Sequence, residues 1–288
     1  MSKHLPSILK LFGILVALCC PPVVPAAEPN APIPDFLIGE WLVNSVHVPP
    51  RHYDTRDQPD VLQNDPIYVG RVFRFTRDEI SILPQESACR FKISAQIDSM
   101  SVSDLIQRSF GQAPSLQDFG LSIAFEGSQK VIRVRCGDKF LFPGSGSLSN
   151  EGADAIFGVW VLQLPDGQLA VRWDREALLI LEKFRPSAHQ VPSFNCGQAK
   201  TESERAICGS PVLALFDLSV TDAYKRMRET GTVGMIHALN ASQKRWLAAR
   251  ERCRRDTKCL AEIMFQRLSD IDNLRVSRDE SRPWESSY

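Results

Sequence analysis

The chain has 288 residues with 34 Lys+Arg and 34 Asp+Glu, so its formal net charge is zero. Its 43 % hydrophobic and 24 % charged content is that of a folded globular protein and excludes a disordered, collagenous or multi-pass membrane chain. Zero net charge also removes the overall basic excess that nucleic-acid binding draws on, so no nucleic-acid partner is expected.

The first element is a leader. Lys3 and Lys10 precede the apolar run 11–18, followed by Cys19, Cys20, two prolines and a small-residue stretch ending in Ala26 and Ala27. This layout predicts a secretory signal peptide over residues 1–26, with cleavage after Ala27 as the near alternative. The run is shorter than the roughly 20 residues a membrane helix needs. No other long apolar segment occurs, so no stable membrane span is expected. Cys19 and Cys20 fit lipid attachment poorly, because Leu18 and Cys19 stand where a small residue is wanted. A periplasmic or secreted protein follows.

From about residue 36 to 184, within a first domain expected over 28–184, the hydrophobic period is two. Phe91, Ile93, Ala95 and Ile97 alternate with Lys92, Ser94 and Gln96, and Ile132, Val134 and Cys136 alternate with Arg133 and Arg135. Leu169, Val171 and Trp173 do the same, and Phe73 and Phe75 flank Arg74. Such runs are strands with one buried face. Further strands are expected at 41–48, 79–83, 121–125, 157–164 and 177–184. Pro165-Asp166-Gly167 reads as a hairpin turn. One helix is expected over 103–110, with Ser103 as its N-cap. Eight or nine short antiparallel strands predict a closed β-barrel, with a sandwich as the alternative.

Residues 185–193, with two prolines and no periodicity, read as a linker. The period then becomes helical. Thr201 and Glu204 form a capping box for a short helix ending near Cys208. Ser210 caps a second helix with Pro211 at its first position, carrying Leu215, Leu218, Tyr224 and Met227, and Gly231 ends it. Asn240 and Gln243 start a third helix with Trp246, Leu247, Arg250 and Cys253. A fourth runs from about Thr257 to Leu274, with an apolar face. Residues 275–288 are polar and read as a disordered tail. The fold class expected is therefore α+β: an antiparallel barrel followed by a small, disulfide-stapled all-α domain over 194–274.

Removing the leader leaves six cysteines, Cys89, Cys136, Cys196, Cys208, Cys253 and Cys259. An even number in an exported chain predicts three disulfides, in any of 15 connectivities. If the two regions are separate domains, Cys89 pairs with Cys136 and the other four pair among themselves. Cys253–Cys259 would close the turn between the third and fourth helices, and Cys196–Cys208 would tie the incoming chain to the first helix. The crossed pairing stays open. Zinc is disfavoured, since eleven and five residues separate the pairs and no histidine sits beside them.

The helical region also resembles a known family. Phe194-Asn195-Cys196-Gly197-Gln198-Ala199 is followed by Glu204-Arg205-Ala206-Ile207-Cys208, then Leu213, Leu218 and Tyr224. Gln243-Lys244-Arg245-Trp246-Leu247, Arg250, Arg252-Cys253 and Cys259-Leu260 complete the series. This order resembles the LprI-type domain, a four-cysteine helical module named after a mycobacterial lysozyme inhibitor. The resemblance covers roughly 193–274 and implies an exported bacterial protein, with a lysozyme or another envelope protein as partner. This chain departs from the namesake in its poor lipid site and its large preceding domain. Gly39-Glu40-Trp41 opens the first strand as a Gly-x-Trp motif opens a lipocalin barrel, where the Trp plugs the closed end. By that tripeptide the first region resembles a lipocalin in architecture, and a small barrel of the sort seen in other periplasmic lysozyme inhibitors fits the strand count equally well.

Reactive chemistry is sparse. No Gly-x-Ser-x-Gly elbow, Walker loop, dinucleotide fingerprint or His-Glu-x-x-His helix occurs. Gly144 to Ser147 reads as a loop, and His47 and His52 as ordinary strand-end and loop histidines rather than ligands with Asp54 or His189. The acids Asp78, Glu79, Asp174 and Glu176 sit at turns and do not make a glycosidase pair. No catalytic residue, cofactor or metal is expected, and the chain reads as a binding protein rather than an enzyme. One candidate binding surface stands out, Lys244, Arg245, Arg250, Arg254 and Arg255, with Arg252 and Lys258 beside them. Trp246 shares a face with Cys253 and is expected in the core. Residues 28–192 hold 16 Lys+Arg against 21 Asp+Glu, and 193–274 hold 13 against 10, so zero net charge is a cancellation between an acidic and a basic region.

Overall fold

The computed structural model describes residues 28–48, 61–83, 88–89, 91–110, 115–141, 156, 158–173, 177–186 and 191–276. The leader, His52, Asp54, Gly144 to Ser147, Asp174, Glu176, His189 and residues 277–288 lie outside them. The fold is mixed α+β, a curled antiparallel half-barrel with helices.

The first region holds β1 (Glu28–Ala31), β2 (Gly39–His47), β3 (Val72–Phe75), β4 (Ile80–Leu83) and β5 (Ile93–Met100). Helix α1 (Val102–Phe110) precedes β6 (Gln129–Cys136), β7 (Lys139–Phe140), β8 (Trp160–Gln163), β9 (Leu169–Arg172) and β10 (Leu178–Lys183). The strand order is β1-β5-β6-β8-β9-β10-β2-β3-β4, with β7 on β6. Neighbours in this order are mostly neighbours in sequence, and β10 pairs back onto β2. The expected closed barrel is an open path instead. Among the described residues β4 has no partner beyond β3, and β1 takes the free edge of β5.

Alternation explains most strands, but β8, β9 and β10 are buried at nearly every position. Both their faces are covered, which turns alternation into continuous apolar runs. On one face Val161, Val171 and Leu179 join Phe73 and Trp173, whose rings meet edge to face at 4.7 Å. On the other, Trp160, Ala170, Leu178 and Ile180 pack against Leu105, Ile106 and Phe110 of α1. Trp160 Nε1 donates to Ser109 Oγ at 2.9 Å, so the buried indole N–H is satisfied.

Several expectations shift. Helix α1 is capped by Ser101, whose Oγ accepts the Asp104 N–H at 3.0 Å, and not by Ser103. Residues 121–125 form no strand. Leu121, Ile123 and Phe125 still pack against the α1 cluster, but their backbone joins no ladder. Phe91 precedes β5 and is 69 % exposed, so the inward-facing alternation begins at Ile93.

After a 3-10 turn at Cys196–Gln198 come α2 (Glu202–Cys208), α3 (Pro211–Thr230), α4 (Val233–Arg252) and α5 (Thr257–Val276). The Thr201–Glu204 capping box, the Ser210 cap with Pro211, and Gly231 at the end of α3 stand as expected. Helix α4 begins a full two turns before Asn240, because Thr232 Oγ accepts the Met235 N–H. The Asn240 side chain instead accepts the Tyr224 hydroxyl at 3.0 Å. Helix α5 runs two residues into the stretch read as a tail. The α3 stripe in the core is Leu213, Phe216, Val220, Ala223 and Met227, whereas Leu218 is 41 % exposed. No single helix among the described residues is long and apolar enough to cross a membrane.

One segment, residues 61–71, ties the sheet to the helices. Backbone bonds Val43 N–H to Arg71 O and Gly70 N–H to Val43 O fasten it to β2. On its other side Ser219 Oγ of α3 donates to Val69 O at 2.9 Å. Gly70 has φ +82°, and a Cβ there would lie 2.9 Å from Ser219 Oγ, so both the dihedral and the close approach require glycine. The fully buried Arg71 guanidinium lies 3.5 Å from the Phe216 ring centroid. Its Nε donates to Ile67 O, while among the described residues neither terminal nitrogen has a hydrogen-bond partner. Burial lowers its pKa to about 9.

Candidate functional site

The six cysteines form Cys89–Cys136, Cys196–Cys208 and Cys253–Cys259, with Cα separations of 5.8, 5.8 and 5.5 Å. The crossed pairing is thereby set aside. Three disulfides are compatible with an oxidising compartment. The first bridge fastens the β4–β5 connection to the end of β6, the second ties the 3-10 turn to the last residue of α2, and the third closes the α4–α5 turn.

The residues of the resemblance are mainly structural. The backbone N–H groups of Thr201, then Lys200, hold the Glu204 carboxyl below the usual carboxylate range. Ile207 and Leu260 are wholly buried and Trp246 is 5 % exposed. Trp246 Nε1 donates to Ile263 O at 3.3 Å, joining α4 to α5. Tyr224 is half-buried and bridges α3 to α4 through Asn240.

Trp41 sits at the β2 end of the half-barrel, 4 % exposed, with Nε1 donating to Leu37 O at 2.7 Å. Lys183 Nζ from β10 lies 4.2 Å from the Trp41 ring and donates to Ile38 O at 2.9 Å. Gly39 has φ +123°, and a Cβ there would meet Lys183 Nζ at 2.9 Å. The glycine of the tripeptide therefore makes room for a cation that crosses the tryptophan. Burial lowers the Lys183 pKa.

The cation cluster divides. Lys244, Arg245, Arg252, Arg254, Arg255 and Lys258 are exposed around α4 and its turn to α5. Arg255 pairs with Glu202 at 3.5 Å and Lys258 with Glu262 at 3.9 Å. Arg250 is a correction: it is 9 % exposed, faces Asp217 at 3.8 Å and Glu251 at 3.2 Å, and belongs to the core. Asp217 also accepts the Ser193 N–H and hydroxyl, so this ion pair anchors the incoming chain.

His47 and Asp78 are engaged by structural partners. His47 Nδ1 lies 2.7 Å from Phe119 O and Nε2 2.9 Å from Ser45 Oγ. Burial lowers its pKa, against the pull of the Phe119 carbonyl. Asp78 pairs with Lys92 at 3.2 Å on the surface. Among the described residues no cluster of three His, Cys, Asp or Glu could hold a metal ion.

A cleft of about 580 Å³ lies between the 61–71 segment and α3, α4 and α5. Its apolar walls are Leu62 and Ile67 from the segment, Met227 from α3, Met235 from α4, and Leu268 and Ile271 from α5. Helical periodicity marks Met227, Leu268 and Ile271 as apolar-face residues, but nothing in the sequence brings Leu62 and Ile67 to them. The Asp65-Pro66 turn was the one local cue, but turn residues say nothing of what packs on them. Asp65 accepts the Leu62 N–H at 2.9 Å and the Ile67 N–H at 3.0 Å, which shapes the wall. Burial raises its pKa, opposed by those two N–H groups. Comparison with protein-family models, with curated proteins and with solved structures finds no match.

Proposed function

We propose that this chain is a non-enzymatic, exported bacterial binding protein that acts by protein–protein contact. Its 194–274 region is read as a separate LprI-type domain, and lysozyme is the target that resemblance implies. The observation that supports it most is the convergence of the quoted motif. Its two local disulfides, capping box, Ile207, Trp246 and Leu260 serve one small core, a rigid frame that lowers the ordering entropy lost on docking. The half-barrel is read as lipocalin-like, on Gly39-Glu40-Trp41 and on the pairing of its last strand with β2. Three disulfides suit the periplasm or the exterior.

A cationic lysozyme would be steered by the acidic residues of 28–192 rather than by the basic α4 face. Carrying a small apolar ligand inside the half-barrel is the weaker reading, because Phe73 and Trp173 fill that face. Two other large aromatics lie outside it, Phe91 being 69 % exposed and Trp160 packing on the α1 side. The test is a turnover assay on a panel of muramidases with the oxidised mature chain. The reading expects inhibition at micromolar concentration that weakens as salt rises. No inhibition by a chain whose fold is verified by circular dichroism would overturn it and leave a docking role without inhibition.

A further inference from the structure

The cleft beside residues 61–71 has a lining that selects for one kind of chemistry. Its volume of about 580 Å³ falls inside the range of roughly 300–1,000 Å³ in which small ligands bind. Two methionines from different helices line it, and unbranched thioethers adapt to varied apolar shapes. The charges on its walls cancel. Asp272 and Arg275 pair at 2.5 Å with side chains 13 % and 14 % exposed. Arg226 pairs with Asp222 at 2.8 Å and donates to Gln63 O at 3.2 Å. Both Asp65 oxygens are engaged, Oδ2 by the Leu62 N–H and Oδ1 by the Ile67 N–H.

We propose that this cleft is a binding site for a neutral, apolar small molecule with an aliphatic chain. Among the described residues the charged groups of the lining are already engaged, so a charged ligand would be desolvated against apolar walls. A neutral chain needs no counter-charge and replaces water over Leu62, Ile67, Met227, Met235, Leu268 and Ile271. The site spans the contact between the sheet region and the bundle, so its occupant would touch both. The proposal does not depend on the lysozyme reading.

The test uses the full mature chain and the neutral fluorophore N-phenyl-1-naphthylamine. Saturable one-site binding at micromolar concentration is expected, displaced by 1-dodecanol at least tenfold better than by dodecanoate or dodecylamine. Leu62→Trp and Met235→Trp fill the cleft from opposite walls. Each should weaken binding at least tenfold while the melting temperature stays within a few degrees. Failure of the wild-type chain to bind overturns the proposal, and so does binding that both variants leave unchanged. Preference for dodecanoate or dodecylamine overturns the neutral ligand class. If binding appears only in Trp284→Ala, the chain's own C-terminal segment is the occupant. If it tracks dimer formation in sedimentation, a second copy is.

Discussion

In the sheet region one disulfide joins residues 47 apart, whereas the two in the bundle join residues 12 and 6 apart. The same contrast runs through the packing. Strand β2 pairs with β10 across most of the region, while α2 to α5 follow one another directly and α5 packs on both α3 and α4. The sheet is therefore stabilised by distant segments brought together, and the bundle by local staples around a small core. Buried cations follow suit. Arg267 of α5 is held by α4, its Nη1 donating to Ser242 Oγ at 2.8 Å and its Nη2 to Gln243 Oε1 at 2.7 Å. Arg71, at the junction, has an aromatic ring in place of an acid.

The sharpest way to break this contrast is to remove one large side chain from each core. Phe73→Ala and Trp246→Ala should each cost about 3–5 kcal/mol. Thermal melts should show the loss in strand signal for the first and in helix signal for the second. An unchanged melting temperature for Trp246→Ala would place that residue outside the core. Replacing Cys89 and Cys136 by serine should cost about 4 kcal/mol, against about 3 for Cys196–Cys208 and about 2 for Cys253–Cys259, in the chain-entropy picture. Denaturant titration of the three double variants gives the ranking, and equal losses would deny the long-range role of the first bridge.

Arg71 tests the junction. Arg71→Met keeps the volume and removes an unpaired buried charge, so stability should hold or rise. Arg71→Ala should cost about 2–3 kcal/mol through the cavity over Phe216. A loss on Arg71→Met as large as on Arg71→Ala would mean the charge itself is required. The smallest effect concerns pH. Burial lowers the His47 pKa in the folded chain, so the unfolded chain binds the proton more readily. Stability should then fall as pH drops from about 6.5 toward that lowered value. His47→Gln should flatten the dependence in that window, read from denaturation midpoints between pH 4 and 7.

Local features were legible in the sequence because their causes are local. The Thr201–Glu204 box, Ser210 with Pro211, and the 165–167 hairpin each satisfy backbone groups a few residues away. The strands β2 to β6 and β8 to β10 followed from alternation or apolar runs. The start of α4 was misplaced because Thr232 and Asn240 are both good caps, and Tyr224 on a neighbouring helix decided between them. Arg250 read as surface because Asp217 reaches it from another helix. The cleft was illegible for the same reason: its walls come from four segments, and no pattern in one brings the others to it.

The β2–β10 ladder, Trp41 opposite Lys183 included, also sets a clock. Two-state domains dominated by non-local pairing fold in milliseconds to seconds, while helical bundles fold in microseconds to milliseconds. A chain delivered from its N-terminus cannot complete this sheet until residue 183 has emerged, with about a hundred residues still to follow. Strand β2 must wait with its edge unpaired, the condition in which strands associate with the wrong partner. The helices that follow pack mostly on one another, and residues 61–71 join them to the sheet through Ile67, Val69 and Arg71.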